Sequence, residues 1–120
     1  MHIGNYNELE VVRETGSGFF LGAGELGEIL LPGKLAPEGL KPGDHLEVFV
    51  YLDSEDRPVA TTERPLATVG QFASLKVVGV HRSIGAFLDW GLSKDLLLPF
   101  KEQSRRVQEG DREVVFVKLD

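Results

Sequence analysis

The chain has 120 residues, of which 42% are hydrophobic and 27% charged, with a formal net charge of -6 and no cysteine. This balance is typical of a soluble globular protein, and the lack of cysteine excludes disulfides, thiolate nucleophiles and cysteine-ligated zinc. No apolar run approaches the roughly 20 residues of a membrane helix, and the opening MHIGNYNELE lacks the pattern of a secretory signal. The sequence therefore predicts a cytoplasmic protein.

Short apolar runs separated by Gly, Pro, Asp and Ser predict strands along the whole chain. The first half contains LEVVRET, GFFLG, GEILLP, HLEVFVYL and RPVATTE, and the second contains SLKVVGVH, AFLDWG, DLLLP and REVVFVKL. Two intervals, KLAPEGLKPG and FKEQSRRVQEG, are candidates for helix, but each is too short for more than a turn or two. Five strands with a short helical link after the third predict a five-stranded Greek-key barrel, the oligonucleotide-binding (OB) fold.

The two halves read as copies of one module. Near the start of each copy the matches are spaced by 66 residues, as for Leu9 and Leu75 or Val11 and Val77. Later matches are spaced by 67: Leu30-Leu31-Pro32 recurs as Leu97-Leu98-Pro99, and Val48-Phe49-Val50 as Val115-Phe116-Val117. This slip predicts an insertion inside a turn, because hairpin loops absorb insertions and strands do not. The sequence thus predicts an all-β chain of two tandem barrels, residues 1–66 and 67–120.

The second copy is predicted to lack its fifth strand. Asp120 corresponds to Asp53, after which the first copy continues into a predicted strand from Arg57 to Glu63. A barrel without that strand leaves unpaired backbone at an edge, which invites pairing with another chain. We expect the chain to be a fragment of a longer protein, or its last strand to be supplied by a neighbouring protein chain at this open edge.

Charge divides unevenly between the copies. Residues 1–66 carry 5 Lys+Arg against 12 Asp+Glu, a net charge of -7, whereas residues 67–120 carry 8 against 7, a net charge of +1. Lys and Arg supply most of the nonspecific affinity of a protein for a polyanion by neutralising phosphates. The first copy is therefore the poorer candidate for nucleic-acid binding.

The second copy contains the stretch GAFLDWGLSKDLLLPFKEQ, in which Gly85, Ala86, Phe87 and Asp89 match a known pattern. This stretch resembles the second strand of the S1 RNA-binding module, which typically reads F-G-A-F-V-D. Two such units in tandem, together with the DLLLPFKEQ phrase, are most similar to the conserved virulence factor B family of bacterial regulators. That resemblance implies a string of S1-like barrels followed by a winged-helix module, with this chain as the N-terminal part.

The S1 resemblance implies which residues contact single-stranded RNA. S1 modules stack bases on two aromatic residues of the second strand, and Phe87 and Phe20 hold the second of these positions. The chain departs from the pattern at the first aromatic position, where it has Ile84 and Ser17, and at the histidine position, where it has Leu98 and Leu31.

Charged residues complete the predicted RNA site. Lys76 and Arg82 would track the RNA backbone if they lie beside Phe87. Asp89 belongs to the matching stretch, and Arg57 with Asp53 or Asp56 represents a further contact pair of S1 modules.

The aromatic residues also have a purely structural interpretation. Side chains alternate along a strand, so either Phe87 or its neighbours Ala86 and Leu88 face the core. Trp90 shares the parity of Leu88, which favours a core position over a stacking platform.

Nothing in the sequence assembles a catalytic site. His2, His45 and His81 have no metal-ligand spacing, and SGFFLGAGELG lacks the Lys and Ser/Thr of a phosphate-binding loop. We therefore predict a chain that is not an enzyme and needs no metal or cofactor. The leading hypothesis is a single-stranded RNA-binding module, and the competing one is a protein-interaction or scaffold module with little intrinsic RNA affinity.

Overall fold

The structure, a computed structural model, describes residues 1–118, and these fall into two compact units, residues 1–64 and 65–118. Regular structure in the described residues consists of strands and single 3₁₀ turns, which confirms the predicted all-β class. The predicted helical links are reduced to the 3₁₀ turns Gly33–Leu35 and Phe100–Glu102, and a third such turn lies at Gly24–Leu26.

The first unit is a closed five-stranded barrel with strands in the order β1-β2-β3-β5-β4. Its fifth strand closes the barrel by pairing antiparallel with β4 and parallel with β3. The strands are β1 (Asn5–Thr15), β2 (Gly18–Gly22), β3 (Glu28–Pro32), β4 (His45–Leu52) and β5 (Pro58–Thr61).

The second unit repeats the first four strands as an open sheet in the order β8-β7-β6-β9. Within residues 1–118 nothing joins β8 to β9, so the predicted lack of a fifth strand is confirmed for the described part of the chain. Leu119 and Asp120, on which part of that prediction rested, lie outside the described residues. The strands are β6 (Phe72–His81), β7 (Gly85–Asp89), β8 (Leu96–Pro99) and β9 (Arg112–Phe116).

The slip in the repeat lies in the first hairpin of each unit. Thr15 pairs with Gly18 across a two-residue turn, whereas His81 pairs with Gly85 across a turn of three residues. The extra residue is absorbed before the ladder begins, which confirms the predicted insertion in a turn.

One glycine opens the second strand of each unit and cannot be replaced without strain. Gly18 has φ +143° and Gly85 has φ +147°, a backbone region that side chains disfavour. A Cβ would lie 2.3 Å from the carbonyl oxygen of Leu31 at Gly18, and 2.4 Å from that of Leu98 at Gly85. Glycine therefore lets the second and third strands approach closely at the same point in both units.

The cores differ although their residues correspond. In the barrel, Ile29 and Leu31 of β3 are buried, while their counterparts Leu96 and Leu98 of β8 are only half-buried. Trp90 is buried, with its indole N–H donating to the Lys94 carbonyl at 2.7 Å, which confirms its predicted core position. The second unit thus has the composition of a barrel core, but the side next to β8 is left open.

Candidate nucleic-acid interface

Alternation in β2 and β7 turns the two S1-like phenylalanines away from the cores. Phe20 lies between buried Phe19 and Leu21, and Phe87 lies between buried Ala86 and Leu88, while both phenylalanines are themselves half-buried. Phe87 therefore lies on the outer face of its sheet, the orientation that the S1 resemblance implied.

In the first unit, Arg13 covers the outward ring. A register shift between Val11 and Arg13 places Arg13 opposite Phe20, and the guanidinium carbon lies 4.1 Å from the ring centroid. The Arg13 side chain is held there because its Nε–H donates to Glu28 Oε1 at 2.9 Å. A base approaching Phe20 would have to displace this cation–π contact and the ion pair behind it.

In the second unit the equivalent register shift places a glycine opposite the ring. Gly79 pairs with Phe87, so no side chain reaches across from β6 at this point. On the other side Phe87 pairs with Leu97 of β8, which is 42% exposed. The half-buried Phe87 and the more exposed Leu97 together form an apolar strip on the outer face, and β6 has no side chain opposite Phe87.

Lys76 and Asp89 lie on the same outer face as Phe87. They are partners across β6 and β7, and both side chains are exposed. Asp89 also accepts a hydrogen bond from the Gly91 N–H at 2.9 Å, which fixes its carboxylate at the end of β7. The structure thus places Lys76 on the face of Phe87, opposite a carboxylate that competes for its charge.

Arg82 lies at the other end of the same hairpin. It is an exposed residue of the turn between β6 and β7, next to His81, whose Nδ1 accepts a hydrogen bond from the Ser83 N–H at 3.2 Å. Lys76 and Arg82 therefore flank the Phe87 position from opposite ends rather than forming one cluster beside it.

Arg57 has a clear structural role in the first unit. Its Nε lies 3.0 Å from Asp53 Oδ2 and its terminal nitrogen lies 2.7 Å from Glu55 Oε2. Hydrogen bonds, chiefly from the Arg57 backbone N–H and then from the Glu55 N–H, lower the pKa of Asp53. Arg57 and Asp53 thus close the turn between β4 and β5, and both partners of Arg57 are acidic.

Two features of the interface were not predicted from the sequence. The first is the contrast between Arg13 and Gly79, which occupy matching positions 66 residues apart. The second is a further cation–π pair after β8, in which the Arg106 guanidinium carbon lies 3.9 Å from the centroid of the Phe100 ring. The repeat alignment could have revealed the first feature, since it already set Arg13 against a glycine.

The described residues contain no cluster of three or more His, Asp or Glu side chains that could hold a metal ion. Within the same residues, no helix is long and apolar enough to cross a bilayer.

Comparisons with known proteins agree with this architecture. The family model of the S1 domain matches residues 3–63. The uncharacterized protein YitL of Bacillus subtilis is 35% identical over 98 residues, which cover 82% of this chain and 33% of YitL. A crystal structure of a multidomain protein with nucleic acid binding domains from Streptococcus pneumoniae superposes with a TM-score of 0.80 at 20% identity.

The pneumococcal match covers 98% of this chain and 42% of that protein, so the chain spans well under half of the length of either relative. At this identity the structural likeness concerns the fold, and it extends over both units. The family model covers the first unit, in which the closed barrel and the outward Phe20 have been described. The chain therefore belongs to the S1 domain family.

Proposed function

We propose that the chain binds single-stranded RNA through the outer face of its second unit, with Phe87 stacking a base. The observation that carries this proposal is the residue opposite each outward phenylalanine: the Arg13 guanidinium lies over the Phe20 ring, whereas Gly79 places no side chain opposite the half-buried Phe87. Stacking on an aromatic ring is tolerant of base identity, and its strength depends on access to the ring face.

Charge supports the same unit. Residues 67–120 carry a net charge of +1 against -7 for residues 1–66, so an RNA strand meets less repulsion at the second unit. Lys76 and Arg82, at the two ends of the Phe87 face, contact phosphates on either side of the stacked base. Asp89 disfavours a phosphate directly beside Lys76, which limits the contribution of that lysine.

The comparisons support a nucleic-acid-binding role at a coarser level. The S1 domain family and the described nucleic acid binding domains of the pneumococcal relative both favour a nucleic-acid partner. Following the resemblance in the sequence, we further propose that the chain serves as the N-terminal part of a cytoplasmic bacterial regulator of the conserved virulence factor B type.

A second role fits the first unit better. Its candidate stacking residue Phe20 is covered, its candidate phosphate contact Arg57 is held by two carboxylates, and its charge is strongly negative. These features favour a scaffold or protein-interaction role for residues 1–64 over RNA binding.

Fluorescence anisotropy of a labelled single-stranded RNA tests the proposal. Phe87→Ala is expected to weaken binding by about 5- to 150-fold, corresponding to the loss of one stacked base at about 1–3 kcal/mol. The matched variant Phe20→Ala is expected to leave the affinity unchanged, because Arg13 already covers that ring. Equal losses in the two variants, or no loss in either, would contradict the proposal.

A second variant guards against a structural effect of Phe87→Ala. Gly79→Leu adds a neutral side chain opposite the ring, and a Cβ at Gly79 has no heavy atom within 4 Å, so the fold accommodates it. Gly79→Leu is expected to weaken RNA binding while the circular dichroism spectrum is unchanged. Unweakened binding by a folded Gly79→Leu protein would place the RNA elsewhere.

A further inference from the structure

The loop that follows β8 differs in charge and residue type from its counterpart in the first unit. Residues 100–107 read FKEQSRRV, with three basic residues against one acidic residue, a net charge of +2. The counterpart, residues 33–40, reads GKLAPEGL, with one basic residue against one acidic residue and no net charge. A phenylalanine and an arginine, Phe100 and Arg106, stand where the first unit has glycines. The second unit therefore has an aromatic ring and two additional arginines at this place in the fold.

The Phe100 ring holds the Arg106 side chain over its face. Phe100 is half-buried, Arg106 is exposed, and the guanidinium carbon lies 3.9 Å from the ring centroid. A guanidinium that stacks on a ring keeps the N–H donors at its edge, where they can bind a phosphate through two parallel hydrogen bonds. Because the ring already orders the side chain, less conformational entropy is lost when an anion binds.

The acidic residue of the loop pairs with a cation from outside the loop. Glu102 Oε1 lies 3.0 Å from Lys118 Nζ. Among residues 1–118, neither Lys101 nor Arg106 has an ion-pair partner, and both side chains are exposed. These two cations of the loop are therefore available to an external anion.

Strand pairing places this loop next to the Phe87 face. Pro99, the last residue of β8, pairs with Gly85, and the missing Cβ of that glycine lets the two strands approach closely. Phe100 follows directly, three residues beyond Leu97, which is the partner of Phe87. Three residues of a strand span about 10 Å, so the loop begins about 10 Å along β8 from the level of the outward ring.

We propose that Lys101 and Arg106 bind backbone phosphates of the RNA strand that stacks on Phe87, an assignment that rests on the proposed function. One OB-fold barrel occupies about 4–16 nucleotides of a single strand, so a strand with one base on Phe87 extends well beyond that ring. The strand continues past the end of β8 to the loop. There the stacked Arg106 donates to one phosphate, and Lys101 supplies a second positive charge beside it.

The charges at the two ends of the Phe87 face favour this path. At one end Lys76 lies opposite Asp89, whose carboxylate repels a phosphate. At the other end Arg82 lies in the turn before β7, and the two cations of the loop follow β8. A strand that leaves the ring toward the loop therefore meets three cations, whereas a strand that leaves the other way meets a carboxylate.

Anisotropy titrations of a labelled single-stranded RNA of about 12 nucleotides, at several salt concentrations, test this site. Arg106→Gln is expected to weaken binding about 2- to 5-fold at low salt, as for an exposed ion pair. It should also reduce the slope of log affinity against log salt by about 0.7, the contribution of one phosphate contact on a single strand. Lys101→Gln is expected to change the slope in the same direction. Lys34→Gln alters the counterpart lysine in the first unit, also exposed, and is expected to change neither quantity.

Phe100→Leu separates the role of the ring from the role of charge. The variant keeps an apolar side chain but loses the aromatic face that orders Arg106. RNA affinity is expected to fall about 2-fold with an unchanged circular dichroism spectrum. In the Arg106→Gln protein, Phe100→Leu should cause no further loss, because the ring acts through the guanidinium. Additive losses in the double variant would contradict this positioning role.

Two results would overturn the site, and they differ in what they mean for the proposed function. If Arg106→Gln and Lys101→Gln behave like Lys34→Gln while Phe87→Ala weakens binding, the RNA stacks on Phe87 but does not pass the loop. The proposed function then stands and the phosphate site is wrong. If Arg106→Gln weakens binding and Phe87→Ala does not, the loop binds RNA without the stacked base, and both the shared strand and the proposed function are wrong.

Discussion

The two units share their strand pattern and much of their core, but within residues 1–118 only the first closes into a barrel. Val48 of β4 is buried in the first unit, while its counterpart Val115 of β9 is half-buried in the second, although the residue type is the same. The difference shows that burial at these positions depends on the fifth strand. An apolar sequence defines which faces can form a core, and the last strand decides whether that core is covered.

The outer faces differ through a single pair of residues. Arg13 and Gly79 occupy the same bulged position next to the outward phenylalanine. With Arg13 the ring is packed into an ion-paired surface, whereas with Gly79 no side chain of β6 lies opposite the ring. The same fold thus places a cation over the ring in one unit and no side chain opposite the ring in the other.

The comparison can be tested first in the cores. Leu21 and Leu88 are equivalent and fully buried, but Leu88 also lines an open cavity between β8 and β9. Leu21→Ala is expected to lower the free energy of unfolding of the first unit by about 3–5 kcal/mol, whereas Leu88→Ala costs the second unit about 2–3 kcal/mol because the open side can relax.

Intrinsic fluorescence reports on the urea unfolding of each unit separately. The tyrosines Tyr6 and Tyr51 lie in the first unit, and Trp90 is the sole tryptophan and lies in the second. If Leu88→Ala lowers the free energy of unfolding as much as Leu21→Ala or more, the open unit is packed as rigidly as the barrel.

The conserved geometry of the second strand offers a test with a smaller expected effect. Gly18→Ala and Gly85→Ala each place a Cβ against a carbonyl oxygen of the neighbouring strand at a positive φ. We expect a loss of about 2–3 kcal/mol at Gly18 and about 1–2 kcal/mol at Gly85. The second cost is lower because β8 is an edge strand and can move away. Thermal unfolding followed with the same fluorophores measures both, and a larger loss at Gly85 would argue against a mobile β8.

Much of the fold could be predicted from the sequence because strand period and turn residues are local signals. The run HLEVFVYL coincides with β4, and the slip between the copies placed the inserted residue in the first hairpin. The repeat also predicted that the second sheet has four strands, as it does within residues 1–118. These features required no knowledge of which strands are neighbours.

The candidate site could be predicted only in part, because its properties depend on strand pairing. Phe87 was identified from its match to the S1 pattern, but the cover on Phe20 depends on a bulge that brings Arg13 into register. A residue-type pattern does not specify such contacts across a sheet.

Replacing Arg13, which covers the Phe20 ring, with glycine should make the outer face of the first unit resemble that of the second. Arg13→Gly is expected to uncover Phe20 at a cost of about 1 kcal/mol or less, because the Arg13–Glu28 pair is exposed. If an accessible ring is what makes an S1 face bind, Arg13→Gly raises the RNA affinity of the Phe87→Ala protein about 2- to 10-fold by adding a stacking site. Anisotropy titrations of the double variant measure the gain. An unchanged affinity would mean that the acidity of the first unit, rather than Arg13, prevents binding.

The smallest expected difference lies in the response of the first unit to acid. The pKa of Asp53 is lowered chiefly by the Arg57 backbone N–H, with further hydrogen bonds from the Glu55 N–H and the Arg57 guanidinium. Because the folded-state pKa lies below the unfolded value of about 4, the carboxylate stabilises the fold above that pH, and the contribution is lost as pH falls through the folded pKa. Urea midpoints from the tyrosine signal should therefore decrease below about pH 4, and less steeply in Asp53→Asn. Asp56→Asn is a matched change in the same turn, and its urea midpoint should fall with pH as steeply as that of the unaltered chain. If the midpoint falls less steeply in both variants, the effect comes from overall charge and not from the β4–β5 turn.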